Sequence, residues 1–289
     1  MSTLGQLAEA ARSEVYGYTA TIEPTTYLSG VLPSTADKVY VVSAAQFSRG
    51  IVEVGDELLM IDEVDRDNDI LSLSSVKGRG ILSTTAQSWP VGTKVTMSPM
   101  IPVHAARRAI SEALRADSGL FVVKEATFTY VAAQSAYTLP ADWENVLSVQ
   151  WKAIGPSEVW VPVRRWTADR FSDSLVLGES PVPGQTVRVR YSTQPTVGGP
   201  DDDFSVTGLP TACEDVIRWS AAWRLSSMLE PFNLGPVRAE AATAVKPDSP
   251  SSRLRVAQYF YQMYQQRLME EVRSLQNRWP VRVHFTGLY

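Results

Sequence analysis

Val256-Ala257-Gln258-Tyr259-Phe260-Tyr261-Gln262-Met263-Tyr264, continued by Leu268, Val272 and Leu275, places an apolar residue at every third or fourth position. That spacing predicts one long amphipathic helix, 251–277, starting near Ser251 or Ser252 and running through about seven turns, roughly 40 Å. It leads into an apolar, Arg-bearing tail at 279–289, entered through Arg278-Trp279-Pro280-Val281-Arg282-Val283-His284-Phe285. An apolar strand with no evident home in its own domain is expected to be received by a partner, which points to an assembly component before an enzyme.

Working back along the chain, Thr211 with Glu214 three residues on has capping-box spacing and predicts a helix over 211–229, with Ile217, Ala221, Trp223 and Met228 on its apolar side. Ala105, Ile110, Ala113 and Leu114 predict another over 104–117, and Leu4, Leu7, Ala8, Ala11 and Val15 a third over 3–16. Between these last two the period changes to two. Lys38–Val42, Gly50–Val54, Glu57–Ile61, Ile70–Leu73 and Thr93–Met97, with Thr19–Ile22, are short strands broken by turn residues, the pattern of a small all-β barrel or sandwich. Strands at 121–123, 126–130, 146–151, 159–163 and 186–191 make the region 120–192 a mixed one. The expected fold class is α+β: a helical bundle with a mixed β region and an inserted small all-β barrel or sandwich domain. The expected organisation is a core helix in 1–17, the inserted domain in 18–101, the rest of the core in 102–278 and the tail in 279–289.

Composition narrows the function. The chain has 289 residues, 44% hydrophobic and 20% charged, with a net charge of −4. That is a globular composition; no apolar run is long enough to span a membrane, and the N-terminal residues lack signal-peptide character. One cysteine, Cys213, excludes an internal disulfide framework. Residues 18–101 hold ten acids against six bases, whereas 251–289 hold six Arg against Glu270 and Glu271. Only one end is basic, so sequence-specific grip on duplex DNA is not expected.

Chemistry is scarce. Two His and one Cys without metal-ligand spacing leave no zinc site. No nucleophile elbow, phosphate loop or dinucleotide fingerprint occurs. Asp65, Asp67 and Asp69 match the start of a calcium loop, but Ile70 stands where Gly is required and Val76 where the bidentate Glu belongs, so a solvated turn is expected. Trp151, Trp160, Trp219 and Trp223 lie within apolar periodicity and are read as core. No catalytic residue, cofactor or metal is assigned.

Three stretches together resemble a known family. Tyr137-Thr138-Leu139-Pro140-Ala141-Asp142-Trp143 with Val146-Leu147-Ser148-Val149 is similar to the turn and strand of the head-to-tail adaptor proteins of tailed bacteriophages. So are Val189-Arg190-Tyr191 through Leu209-Pro210 and Cys213-Glu214-Asp215-Val216-Ile217-Arg218-Trp219-Ser220-Ala221-Ala222, and the terminal helix with Tyr259-Phe260-Tyr261 and Arg267. Separately, Val54-Gly55-Asp56-Glu57-Leu58 to Ile70-Leu71-Ser72-Leu73, with Arg79-Gly80 and Val91-Gly92-Thr93, resembles a small β module recurrent in phage structural proteins. The resemblance implies a virion protein at the head-tail junction, made in the host cytoplasm. It implies a ring of self-copies, usually twelve, beneath the portal protein, extending a channel for double-stranded DNA and presenting a surface to the next neck or tail protein. It also implies portal docking by the C-terminal segment, with Trp279, Val281, Val283 and Phe285 as anchors and Arg278 and Arg282 at the rim. Asp201, Asp202 and Asp203, on a loop expected to be flexible, are candidates for the lumen or the next ring. Alternatives are another neck, tail or baseplate component, or a carbohydrate-binding or carbohydrate-active protein built on the β domain.

Overall fold

The computed structural model describes residues 2–17, 23–116, 119–155, 159–228 and 250–279. It is mixed α+β, with four helices and three antiparallel sheets. Helix α1 (Leu4–Tyr16) starts at Thr3, whose hydroxyl accepts the Gln6 N–H at 3.1 Å while the Gln6 side chain accepts the Thr3 N–H at 3.0 Å. Two of the N–H groups that a helix start leaves unpaired are thus satisfied reciprocally. Helices α2 (Val103–Ala116), α3 (Glu214–Met228) and α4 (Pro250–Arg278) pack with α1 around one apolar core. Ala8, Ala11, Ala106, Ala109, Ala113 and Ala221 are fully buried there, and such small side chains let helix axes approach closely. Phe260 and Tyr264 of α4 fill the remaining space by stacking on Trp219 and Trp223 of α3, at centroid distances of 5.8 and 6.1 Å.

One expected boundary is displaced. The capping box at Thr211 does not form: Thr211–Cys213 is a turn of 3-10 helix behind Pro210, and α3 starts at Glu214. The Glu214 carboxylate instead accepts the Ser2 hydroxyl at 2.5 Å, a partner 212 residues away.

Residues between α1 and α2 form a six-stranded sheet: β1 (Thr25–Tyr27), β2 (Lys38–Tyr40), β3 (Gly50–Val54), β4 (Glu57–Asp65), β5 (Ile70–Leu73) and β6 (Lys94–Met97), in the order β1-β6-β3-β4-β5-β2. Its two edges meet where Leu28 bridges Val41, with Ser29 N–H donating to Tyr40 O at 3.0 Å and Val42 N–H to Tyr27 O at 2.9 Å. Val39, Val52, Val54, Leu59, Ile61, Leu71 and Val95 face the interior, as period-two alternation requires. The strand expected at 19–22 lies outside the described residues. Asp65–Asp69 forms the β4–β5 turn: the Asp65 carboxylate accepts the Asp67 and Asn68 N–H groups, both at 3.1 Å.

A second β region follows α2. Strands β7 (Val122–Thr129), β9 (Asn145–Lys152), β10 (Trp160–Pro162) and β13 (Thr186–Thr193) form a sheet ordered β10-β9-β13-β7; β8 (Ala136–Thr138), β11 (Trp166–Asp169) and β12 (Ser174–Leu177) form a smaller one. The two share a core containing Tyr137, Val149, Leu175, Val187 and Val189. Strands β8, β11 and β12 escape the sequence reading because three or four residues with polar outward positions carry little periodic signal.

The six-stranded sheet is tied to the helices by buried polar contacts. Arg12 of α1 donates to Glu53 of β3 at 3.0 Å, and the same carboxylate accepts the Val103 N–H at the start of α2 at 2.5 Å. Arg107 of α2 pairs with Asp56 in the β3–β4 turn. Tyr16 O–H donates to Glu23 at 2.6 Å, and burial together with that carboxylate pushes the phenol up to about 12.

Candidate functional site

Three surfaces are candidates for function: the end of α4, the acidic loop, and an apolar groove beside α3. At the end of α4, Trp279 N–H donates to Leu275 O at 2.8 Å, which carries the helical turn one residue further. Its ring is half-buried under the Arg190 guanidinium, 5.1 Å from the ring centroid. Arg190 is held by Glu125 of β7 at 2.5 Å. Alternation along β13 explains the placement: Val187, Val189 and Tyr191 point into the core, so Arg188 and Arg190 point out. Arg188 stacks over Trp160 at 4.1 Å and donates to Gln150 at 2.5 Å. Trp160 is therefore an outer-face residue and not the core residue that periodicity suggested. Its register partner is Lys152, while the neighbouring Val161 pairs with the inward Trp151.

Of the tail residues singled out from sequence, Arg278 is exposed and Trp279 lies against its own sheet. Val281, Arg282, Val283 and Phe285 lie outside the described residues. Arg188 and Arg190 were not singled out, although the alternation Val187-Arg188-Val189-Arg190-Tyr191 contains the signal for an outward cationic face.

The loop carrying Asp201, Asp202 and Asp203 is tied down, contrary to expectation. Pro200 O and Asp202 O accept the Gly5 and Leu4 N–H groups at 2.7 and 3.0 Å, so the loop covers the unpaired first turn of α1. The Asp202 carboxylate accepts Gly199 N–H at 2.7 Å; that of Asp203 accepts Ser205 N–H at 2.9 Å, and this bond holds Asp203 below the ordinary carboxylate range. A β-carbon on Gly5 would lie 2.9 Å from Pro200 O, so this approach requires glycine. The loop's fixed conformation comes from α1, about 200 residues away in sequence, which is why loop composition alone misread it. Asp201 and Asp202 remain exposed.

The third surface is an apolar groove of about 590 Å³ between the six-stranded sheet and α3, lined among others by Leu58, Leu82, Met100, Pro102, Leu225 and Met228. It contains no titratable lining residue. Cys213 is fully buried beneath α3, and burial pushes its thiol up to about 12, so it is not a thiolate nucleophile at neutral pH. Among the described residues no group of three or more His, Cys, Asp or Glu side chains is arranged to hold a metal ion, and no helix is long and apolar enough to cross a membrane.

Comparison with known proteins supplies a family. A search of curated proteins finds no match. The family model described as SU10 adaptor protein matches residues 103–285, the stretch that holds α2, the seven strands β7–β13, α3 and α4. That match spans well over half of the 289 residues, and the chain belongs to the SU10 adaptor protein family.

Proposed function

We propose that this protein is a structural adaptor of a tailed bacteriophage that forms a ring at the head-to-tail junction. In this reading the ring docks on the portal through residues 279–289, extends the DNA channel and offers a surface to the next neck or tail protein. The observation that carries it is the family match over 103–285, which takes in the sheet, the aromatic α3–α4 pair and the start of the tail. The four helices serve as the bundle of the ring subunit, and the six-stranded domain, attached between α1 and α2, is an insertion that adds an outer contact surface. DNA passes without being gripped: Arg190 and Arg188 of the outer sheet share the Glu125 carboxylate, at 2.5 and 3.7 Å, which leaves that pair a single net positive charge. Arg267 is likewise held by Asp215 and Glu270, each at 2.9 Å.

The test is truncation after Trp279, which keeps the Arg190 stack intact. The shortened chain is expected to fold with an unchanged circular dichroism spectrum and to lose attachment to DNA-filled, tailless heads in electron micrographs. Attachment at the wild-type level would sink tail docking. A wild-type chain that never forms a ring on heads would sink the adaptor geometry itself.

A further inference from the structure

We infer that the apolar groove beside α3 receives Phe171 from a neighbouring copy of this chain. The inference rests on the ring reading above and supplies the contact that the ring needs. Phe171 stands at the tip of the β11–β12 hairpin and is fully exposed, so among the described residues it is packed against none, those of its own groove included. The tip is ordered nonetheless. The Asp169 carboxylate accepts Phe171 N–H at 3.0 Å and the Ser172 hydroxyl at 2.8 Å, and the Ser172 and Ser174 hydroxyls lie 2.7 Å apart. Asp173 takes a φ of 45°, and its carboxylate accepts the Trp143 indole N–H at 2.9 Å. A phenyl ring held in water on such a turn would gain by burial in an apolar groove of another subunit.

The groove has the complementary character. A shallower hollow that shares Ile51 and Leu82 with it adds Met60 and Val76, both exposed, and the lip between them is Leu82, 63% exposed with a φ of 51°, followed by Ser83 at 70°. A bulky apolar residue in the left-handed region is disfavoured, and Leu82 holds it while mostly exposed. Net charge is complementary too. The knob's turn carries Asp169 and Asp173 against Arg170, whereas the hollow beside the groove is lined by Lys77. Knob and groove belong to different elements of one chain, so joining them across copies is a heterologous contact, the type that propagates into a closed ring.

Single variants of the full-length chain that keep Phe171 and Leu82, Ser172→Cys and Ser83→Cys at the exposed neighbouring positions, are mixed on portal-bearing heads with a short bismaleimide; the native Cys213 is fully buried and silent. Covalent dimers are expected from the mixture and not from either variant alone. Phe171→Ser and Leu82→Asp, an exchange that suits a positive φ, are each expected to abolish ring-bearing heads with unchanged thermal unfolding. If rings form but the mixture cross-links no better than the single variants, the knob-and-groove contact is overturned and the ring stands. If Leu82→Asp blocks assembly and Phe171→Ser does not, the groove holds another partner and the inference is equally overturned. If the wild-type chain gives no rings, the ring reading falls and takes this contact with it.

Discussion

Arg12→Met tests the junction between the six-stranded sheet and the helices. In the wild type the Arg12 and Glu53 side chains are only 9% and 4% exposed and lie 3.0 Å apart. Burial raises the Glu53 carboxyl above its ordinary range, against the opposing pull of Arg12 and the Val103 N–H. Burial works against the Arg12 charge as the largest single influence, but Glu53, Tyr16 and Glu9 together more than offset it and hold the guanidinium protonated. Removing the cation leaves a buried carboxylate with one backbone N–H, a change that costs about 3–5 kcal/mol at pH 7. The loss is pH-dependent. Without Arg12 the folded-state value of Glu53 rises further above its unfolded value of about 4.3, so the folded variant binds the extra proton. Its stability is then highest below that unfolded value and falls as pH rises through the raised folded one. Arg12→Met/Glu53→Leu removes both charges and recovers part of the loss. It leaves Val103 N–H without its acceptor, a residual cost of about 1–3 kcal/mol. Urea unfolding at pH 5 and pH 7, followed by tryptophan fluorescence and circular dichroism, reads these values from midpoint and slope. A single-variant cost under about 1 kcal/mol, typical of exposed pairs, or the same cost at both pH values, would refute the buried-junction account.

Two other outcomes follow from the packing. Glu57 is fully buried and accepts from Arg79 at 2.7 and 2.8 Å, from Trp89 at 2.9 Å, and from the Gly80 and Gln87 N–H groups, both at 3.2 Å. Burial pushes its carboxyl up, but the bonds from Arg79, Trp89 and Gln87 win and hold it below the ordinary range. Its stabilisation is therefore complete above the unfolded value and lost as pH falls through the depressed folded one. Glu57→Gln should cost about 3 kcal/mol at pH 7 and flatten the acid limb of a stability-against-pH profile, as measured by denaturant midpoints. The family-matched fragment 103–285 lacks α1, whose Leu7, Ala8 and Ala11 are buried against α2 and α3, and should bind a hydrophobic dye and unfold without cooperativity; a sharp thermal transition would show that α1 is dispensable.

Much of the fold is legible locally. The faces of α1, α2 and α4 and the interior positions of β3, β4 and β6 follow from periods of 3.6 and 2.0, because burial repeats with the geometry of the element. The order of motifs along 137–268 also sufficed to suggest the adaptor family. What sequence could not supply depends on residues far apart in the chain. Glu214 leaves its expected capping box for Ser2; the acidic loop is fixed by the first turn of α1; Glu53 is buried because Arg12 arrives from another helix. Trp160 and Trp279 are placed by Arg188 and Arg190, and Phe171 is exposed because β11 and β12 carry it beyond the core they share. The residues themselves set the period of each element and the sign of each charge. The path of the folded chain decides which charge is buried, which aromatic is covered and which surface is left for a partner, since burial and Coulomb energy depend on distances that no local pattern contains.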